Sequence, residues 1–162
     1  MKNYSFLSEN TTNLIAFHDC SCAHFFYENG CLVFEMEWLE VLAKHPLNPN
    51  PQAYQSGEGK VIFVEPQIVE CVLHESVYVD GKAVSRRITK LDEIDFCDAD
   101  FINYDEQETD GGFRAKMFLL FSDDTLFDSI TLEIQYKKSL VMWDELKETS
   151  WFEDEIWKRR GL

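Results

Sequence analysis

Apolar and polar side chains alternate on both sides of Asn29-Gly30, between Asn13 and Val41, and a period of two predicts a pair of strands joined by a tight turn. Asn-Gly suits a two-residue type I′ turn, whose two positions both need positive φ. Counting outward from it sets Glu28 against Cys31, Tyr27 against Leu32, Phe25 against Phe34, Ala23 against Met36 and Ser21 against Trp38. The face with Phe17, Ser21, Ala23, Phe25, Tyr27, Leu32, Phe34, Met36 and Trp38 is the expected core side, and the histidines and cysteines of HDCSCAH (His18 to His24) fall on the other.

From His45 to Gly59 three of the four prolines sit among Asn, Gln, Ser and Gly, which predicts a connection rather than an element. Alternation resumes in KVIFVE, pauses at Pro66, and continues through QIVECVLHESVYV to a second turn at Asp80-Gly81 and then KAVSRRITKL. Turns at Asp110-Gly111-Gly112 and Asp123-Asp124 bound a final hairpin, FRAKMFLLF with TLFDSITLEIQY. VMWDELKE reads as a further helical turn or two. In SWFEDEIWKRRGL, Ser150 stands as an N-cap with Glu153 three residues on and basic residues in the last turn, predicting a short C-terminal helix that packs Phe152, Ile156 and Trp157 onto a sheet. The expected fold is mainly β within α+β, a single domain over 1–162: an antiparallel β-sandwich or curved sheet closed by that helix.

Composition supports a self-sufficient core, because 45% of the 162 residues are hydrophobic and 13 are Phe. Thirty acidic against 15 basic residues give a formal charge of −15, which repels nucleic acid and anionic membranes and attracts cationic partners. No basic-then-apolar leader and no apolar run near 18 residues is present, so no membrane association is expected. Five cysteines without a CxxC spacing read as reduced thiols of a cytoplasmic protein.

HDCSCAH carries metal-binding side chains at every second position. In a strand His18 and His24 would lie about 20 Å apart, whereas zinc ligand atoms sit within about 4 Å of one another, so all four cannot share an ion. The register leaves a smaller possibility, a cross-strand cluster of Cys22, His24, Glu35 and Glu37. Cys20 beside Asp19 has the composition of a thiol nucleophile but no helix N-terminus to activate it. Asp92 to Asp110 contains nine acidic residues and no Lys or Arg; its EF-hand reading fails, since a loop from Asp98 would put Asn103 at the glycine position and Thr109 at the final glutamate. The alternative is a docking surface for a basic protein, built on Asp98, Asp100, Asp105, Glu106, Glu108 and Asp110. GxGxxG, Walker, HExxH and GxSxG motifs are all absent, so no catalytic residue and no cofactor is assigned.

HDCSC followed by the Asn-Gly hairpin, together with YKKSLVMWDELKETSWFEDE from Tyr136 to Glu155, resembles small bacterial proteins of the Firmicutes type, some of them similar to immunity proteins of polymorphic toxin systems. The resemblance covers the two ends of the chain and carries over no active site. It implies an immunity-like role, that of binding a basic toxin, and the expected function is accordingly a non-enzymatic acidic interaction protein. The rival is a metal- or small-ligand-binding β-protein using the Cys22, His24, Glu35 and Glu37 face.

Overall fold

The computed structural model describes residues 2–122 and 127–155, although the side chains of 76–79 and 83 are left aside. The described residues form thirteen strands: β1 (Phe6–Glu9), β2 (Ser21–Glu28), β3 (Cys31–Met36), β4 (Glu40–Val41), β5 (Tyr54–Ser56), β6 (Gly59–Val64), β7 (Gln67–Val79), β8 (Lys82–Arg87), β9 (Asp95–Thr109), β10 (Gly112–Phe121), β11 (Phe127–Tyr136), β12 (Lys138–Trp143) and β13 (Leu146–Thr149). Ten form one antiparallel sheet in the order β1-β12-β6-β3-β2-β9-β10-β11-β7-β8, and β13-β5-β4 form a small second sheet. The mainly β, antiparallel architecture is thus as the alternation predicts.

The large sheet is rolled. Between β6 and β11 lie four strands, so five spacings would separate them by about 24 Å if the sheet were flat. Instead the rings of Phe63 on β6 and Tyr136 on β11 are 4.8 Å apart, edge to face. The concave face holds one apolar cluster in which Phe25, Phe34, Phe63, Phe101 and Trp143 are buried to within 2%. Phe34 is its hub, with ring centroids 5.2 Å from Phe25, 5.9 Å from Phe63 and 5.6 Å from Phe101. Large exposed apolar residues among those described are Leu7, Val69 and Leu120, none of them aromatic. No described helix is long and apolar enough to cross a membrane.

Turn chemistry fixes two hairpins as expected. Asn29 and Gly30 have φ of 53° and 78°, Asp80 and Gly81 of 52° and 74°, the pair of positive values a type I′ loop needs. Glu28–Cys31, Tyr27–Leu32 and Phe25–Phe34 pair as counted, and so do His24 and Glu35. Beyond them the count fails: a bulge at Ala23 sets Cys22, not Ala23, against Met36. The extra residue reverses the alternation, so Cys20 and Cys22 turn into the core while Ser21 and Ala23 leave it. HDCSCAH therefore does not lie on one face; its cysteines point in, and His18 and His24 point out.

Three further expectations need correction. The His45 to Gly59 connection contains β5, and it is ordered by two buried side chains. Asn48 Nδ2 donates to the carbonyls of Val41, Leu42 and Gln52, and His45 Nδ1 accepts from the Leu47 N–H while Nε2 bonds Thr11 Oγ1 at 3.0 Å. Burial holds the His45 pKa below its ordinary value, which keeps the ring in that neutral form. VMWDELKE is the end of β12 and most of β13 rather than helix, because Val141 and Trp143 alternate into the core. At the C-terminus Trp151–Glu153 form a 3-10 turn in place of the first turn of the expected helix capped by Ser150, and the rest of that helix, from Ile156 onward, lies outside the described residues.

Ser150 does not cap that turn. Its hydroxyl donates to Glu40 Oε2 at 2.5 Å, and Glu40 Oε1, also buried, has no hydrogen-bond partner among the described residues. Burial raises the Glu40 pKa, the Ser150 hydrogen bond lowers it in part, and Glu148 adds to the rise. The native state therefore holds this proton more tightly than the unfolded chain does. Its stability falls as pH climbs above the unfolded value of about 4.5, and the loss is complete once pH has passed the folded value. Glu40→Gln is expected to raise the melting temperature by a few degrees at pH 7 and to leave it unchanged near pH 4, as read by thermal unfolding across that range. An equal shift at both pH values would show that the carboxyl ionises without cost.

Candidate functional site

The residues that sequence singled out separate into distinct environments. Cys22 is buried, its thiol directed to the His24 carbonyl oxygen at 3.4 Å, and desolvation pushes its pKa far above the usual thiol range. Cys20 is the same in kind, bonded to the Ala16 carbonyl, and Cys71 is pushed up to about 12, so these thiols stay protonated. All five cysteines are free. On the convex side His24 Nε2 lies 2.6 Å from Asp95 Oδ1 and its Nδ1 4.0 Å from Glu35 Oε2, while the ring lies tilted against Phe26 with centroids 4.4 Å apart. The cross-strand pair His24–Glu35 thus forms, but the bulge at Ala23 removes Cys22 from it and leaves Glu37 one step further along the exposed edge. Among the described residues no group of three or more His, Cys, Asp and Glu side chains is placed to hold a metal ion.

The six acidic residues expected to form the docking surface, from the Asp92 to Asp110 segment, do not share one face either. Strand alternation puts Asp105 on the convex side opposite Lys116, and Asn103 donates to its Oδ2 at 3.1 Å. Glu106 turns to the concave side, where Ala115 opposite it leaves room. There its Oε1 accepts the hydroxyls of Thr12, Tyr136 and Tyr104, the last at 2.8 Å. Burial raises both tyrosine pKa values well above the ordinary phenol range, so they remain neutral donors. This cluster ties the 3-10 turn Thr12–Leu14 to β9 and β11, and the hydrogen bonds saturate one carboxylate oxygen. Glu108 is exposed near the end of β9, and Asp110 lies in the turn that follows.

Asp98 and Asp100, at the other end of β9, do come together. Asp98 has φ of 55° and kinks the strand beside the Ala23 bulge, its carbonyl accepting the Ser122 N–H at 2.8 Å. Asp100 accepts the Ser21 hydroxyl at 2.6 Å. Past Met36 the chain bonds back through Glu37 N to Ser21 O, which brings Glu37 alongside. Glu37, Asp98, Asp100, Ser21 and Ser122 line one recess of about 200 Å³. Among the described residues none of its three carboxylates forms an ion pair. Sequence reading linked Asp98 with Asp100 but not with Glu37, Ser21 or Ser122, because only two irregularities in register bring these residues side by side.

Three carboxylates face the recess, and two hydroxyls, Ser21 and Ser122, bond one of them, Asp100. No protein-family model, curated protein or solved structure was found to match the chain, so the functional reading rests on this geometry.

Proposed function

We propose that the protein is a non-enzymatic interaction protein, immunity-like in role and cytoplasmic, that captures a basic protein partner and receives a lysine or arginine side chain between Glu37, Asp98 and Asp100. The observation that supports this reading is the convergence on one recess of three carboxylates that form no ion pair among the described residues, in a chain whose formal charge is −15. The overall field accelerates encounter with a cationic surface, and the recess supplies the contact that sets orientation. Elsewhere on β9, Asp95 pairs with His24, Asp105 accepts from Asn103 and Glu106 is held by the hydroxyl cluster, whereas at this end three carboxylates face one recess.

The test compares two charge reversals of equal size. Glu37→Lys, Asp98→Lys and Asp100→Lys together change the charge as much as Glu28→Lys, Asp92→Lys and Glu145→Lys, three exposed positions away from the recess. Association with a panel of small basic proteins is measured by interferometry at low and high salt. The recess triple is expected to slow association at low salt by at least tenfold and to speed dissociation, while the matched triple alters only the association rate, by less. Equal effects of the two triples would mean that net charge alone acts and that the recess is not the contact.

A further inference from the structure

At the far end of β9, eleven residues beyond Asp98 and about 36 Å away along the strand, the turn Thr109–Gly112 meets the β6–β7 and β11–β12 turns at the open mouth of the roll. These turns enclose a cleft of about 710 Å³, within the range of about 300–1,000 Å³ typical of small-molecule sites. Phe113, half-buried, lines it, its ring stacked on the buried Tyr136 with centroids 5.4 Å apart at 21°, and Phe63 meets Tyr136 from behind. Glu65 and Asp110 on the rim are matched in number by Lys137 and by Lys138, the latter also reaching Glu9 Oε2 at 3.6 Å. The cleft is therefore close to neutral in a chain that is otherwise strongly acidic.

An aromatic floor suits a ligand with an apolar face. A rim holding carboxylates, ammonium groups and the peptide groups of three turns suits one that donates and accepts hydrogen bonds around its edge. Balanced charge gives no advantage to an ion. The three requirements coincide in a sugar ring, whose C–H face lies flat and whose hydroxyls do both kinds of hydrogen bonding. We infer that the cleft between Phe113, Asp110, Glu65 and Lys137 is a binding site for one ring of a neutral saccharide. This goes beyond the capture of a basic protein and is independent of it, since the two sites occupy opposite ends of β9.

The experiment is a titration of the full chain with maltose, cellobiose, lactose and N,N′-diacetylchitobiose, each to tens of millimolar, followed by backbone amide NMR shifts. At least one is expected to move the amides of Thr109–Phe113 and Gln135–Lys138 with a millimolar dissociation constant. Phe113→Ala is expected to weaken that binding at least tenfold. Asp110→Asn, which keeps a turn-compatible side chain, is expected to weaken it severalfold with the remaining spectrum unchanged. If none of the four moves those amides, or if adenosine moves them while the sugars do not, the saccharide assignment is overturned.

Discussion

Phe34→Ala is expected to lose about 3–5 kcal/mol of stability, a large part of the roughly 5–15 kcal/mol that holds a domain folded. The side chain is 1% exposed and touches the rings of Phe25, Phe63 and Phe101, which come from three other strands. Removing it opens a cavity where the two halves of the rolled sheet meet, and the surrounding rings are held in their own ladders and relax little. At about 2–4 °C per kcal/mol for a chain of this length, the melting temperature should fall by roughly 10 °C. Phe34→Leu, which keeps most of the volume, should lose much less. Urea unfolding of both variants measures this, and a loss below about 1 kcal/mol for the alanine would show that Phe34 is not the hub.

The second large effect is expected at Gly112, where β10 begins. A Cβ there would stand 2.4 Å from the Tyr136 carbonyl oxygen and 3.2 Å from its carbon, both of them backbone atoms. Neither can swing away, because the neighbouring pair Phe113–Tyr136 is fixed in the β10–β11 ladder. Gly112→Ala must therefore push the two strands apart at the mouth of the roll, at a cost of about 1–3 kcal/mol. A lowered melting temperature is expected, with NMR shift changes concentrated in Tyr136, Lys137 and Thr109. An alanine variant as stable as the parent would contradict the close approach.

Much of the β architecture is legible in the chain, and the reasons are local. Asn29-Gly30 and Asp80-Gly81 have the positive φ that their residue types favour, so the register near each turn follows by counting. Phe25 opposite Phe34 is a direct result. What is not legible is where counting stops being valid. The bulge at Ala23, the kink at Asp98 and the shift near Ile102 have no residue signature, yet each reverses which side chains face inward. For that reason Cys22 is in the core although the sequence sets it beside His24 and Glu37. The small sheet escapes notice for a different cause: β4 and β5 have two and three residues, too short to show a period, and β13 pairs β5 from 90 residues away. Glu106 is likewise indistinguishable in sequence from the solvated acids around it, since only the roll brings Thr12 and Tyr136 to it.

That roll underlies the hub at Phe34, the hydroxyl cluster at Glu106 and the cleft at the sheet's mouth. The most direct measurement of it is the nuclear Overhauser effect between the ring protons of Phe63 and Tyr136, residues on strands separated by four others in the sheet. A rolled sheet with centroids at 4.8 Å predicts a strong cross-peak. Cross-peaks along every ladder but none between these two rings would describe a flatter sheet, and with it the hydroxyl cluster and the cleft would be lost.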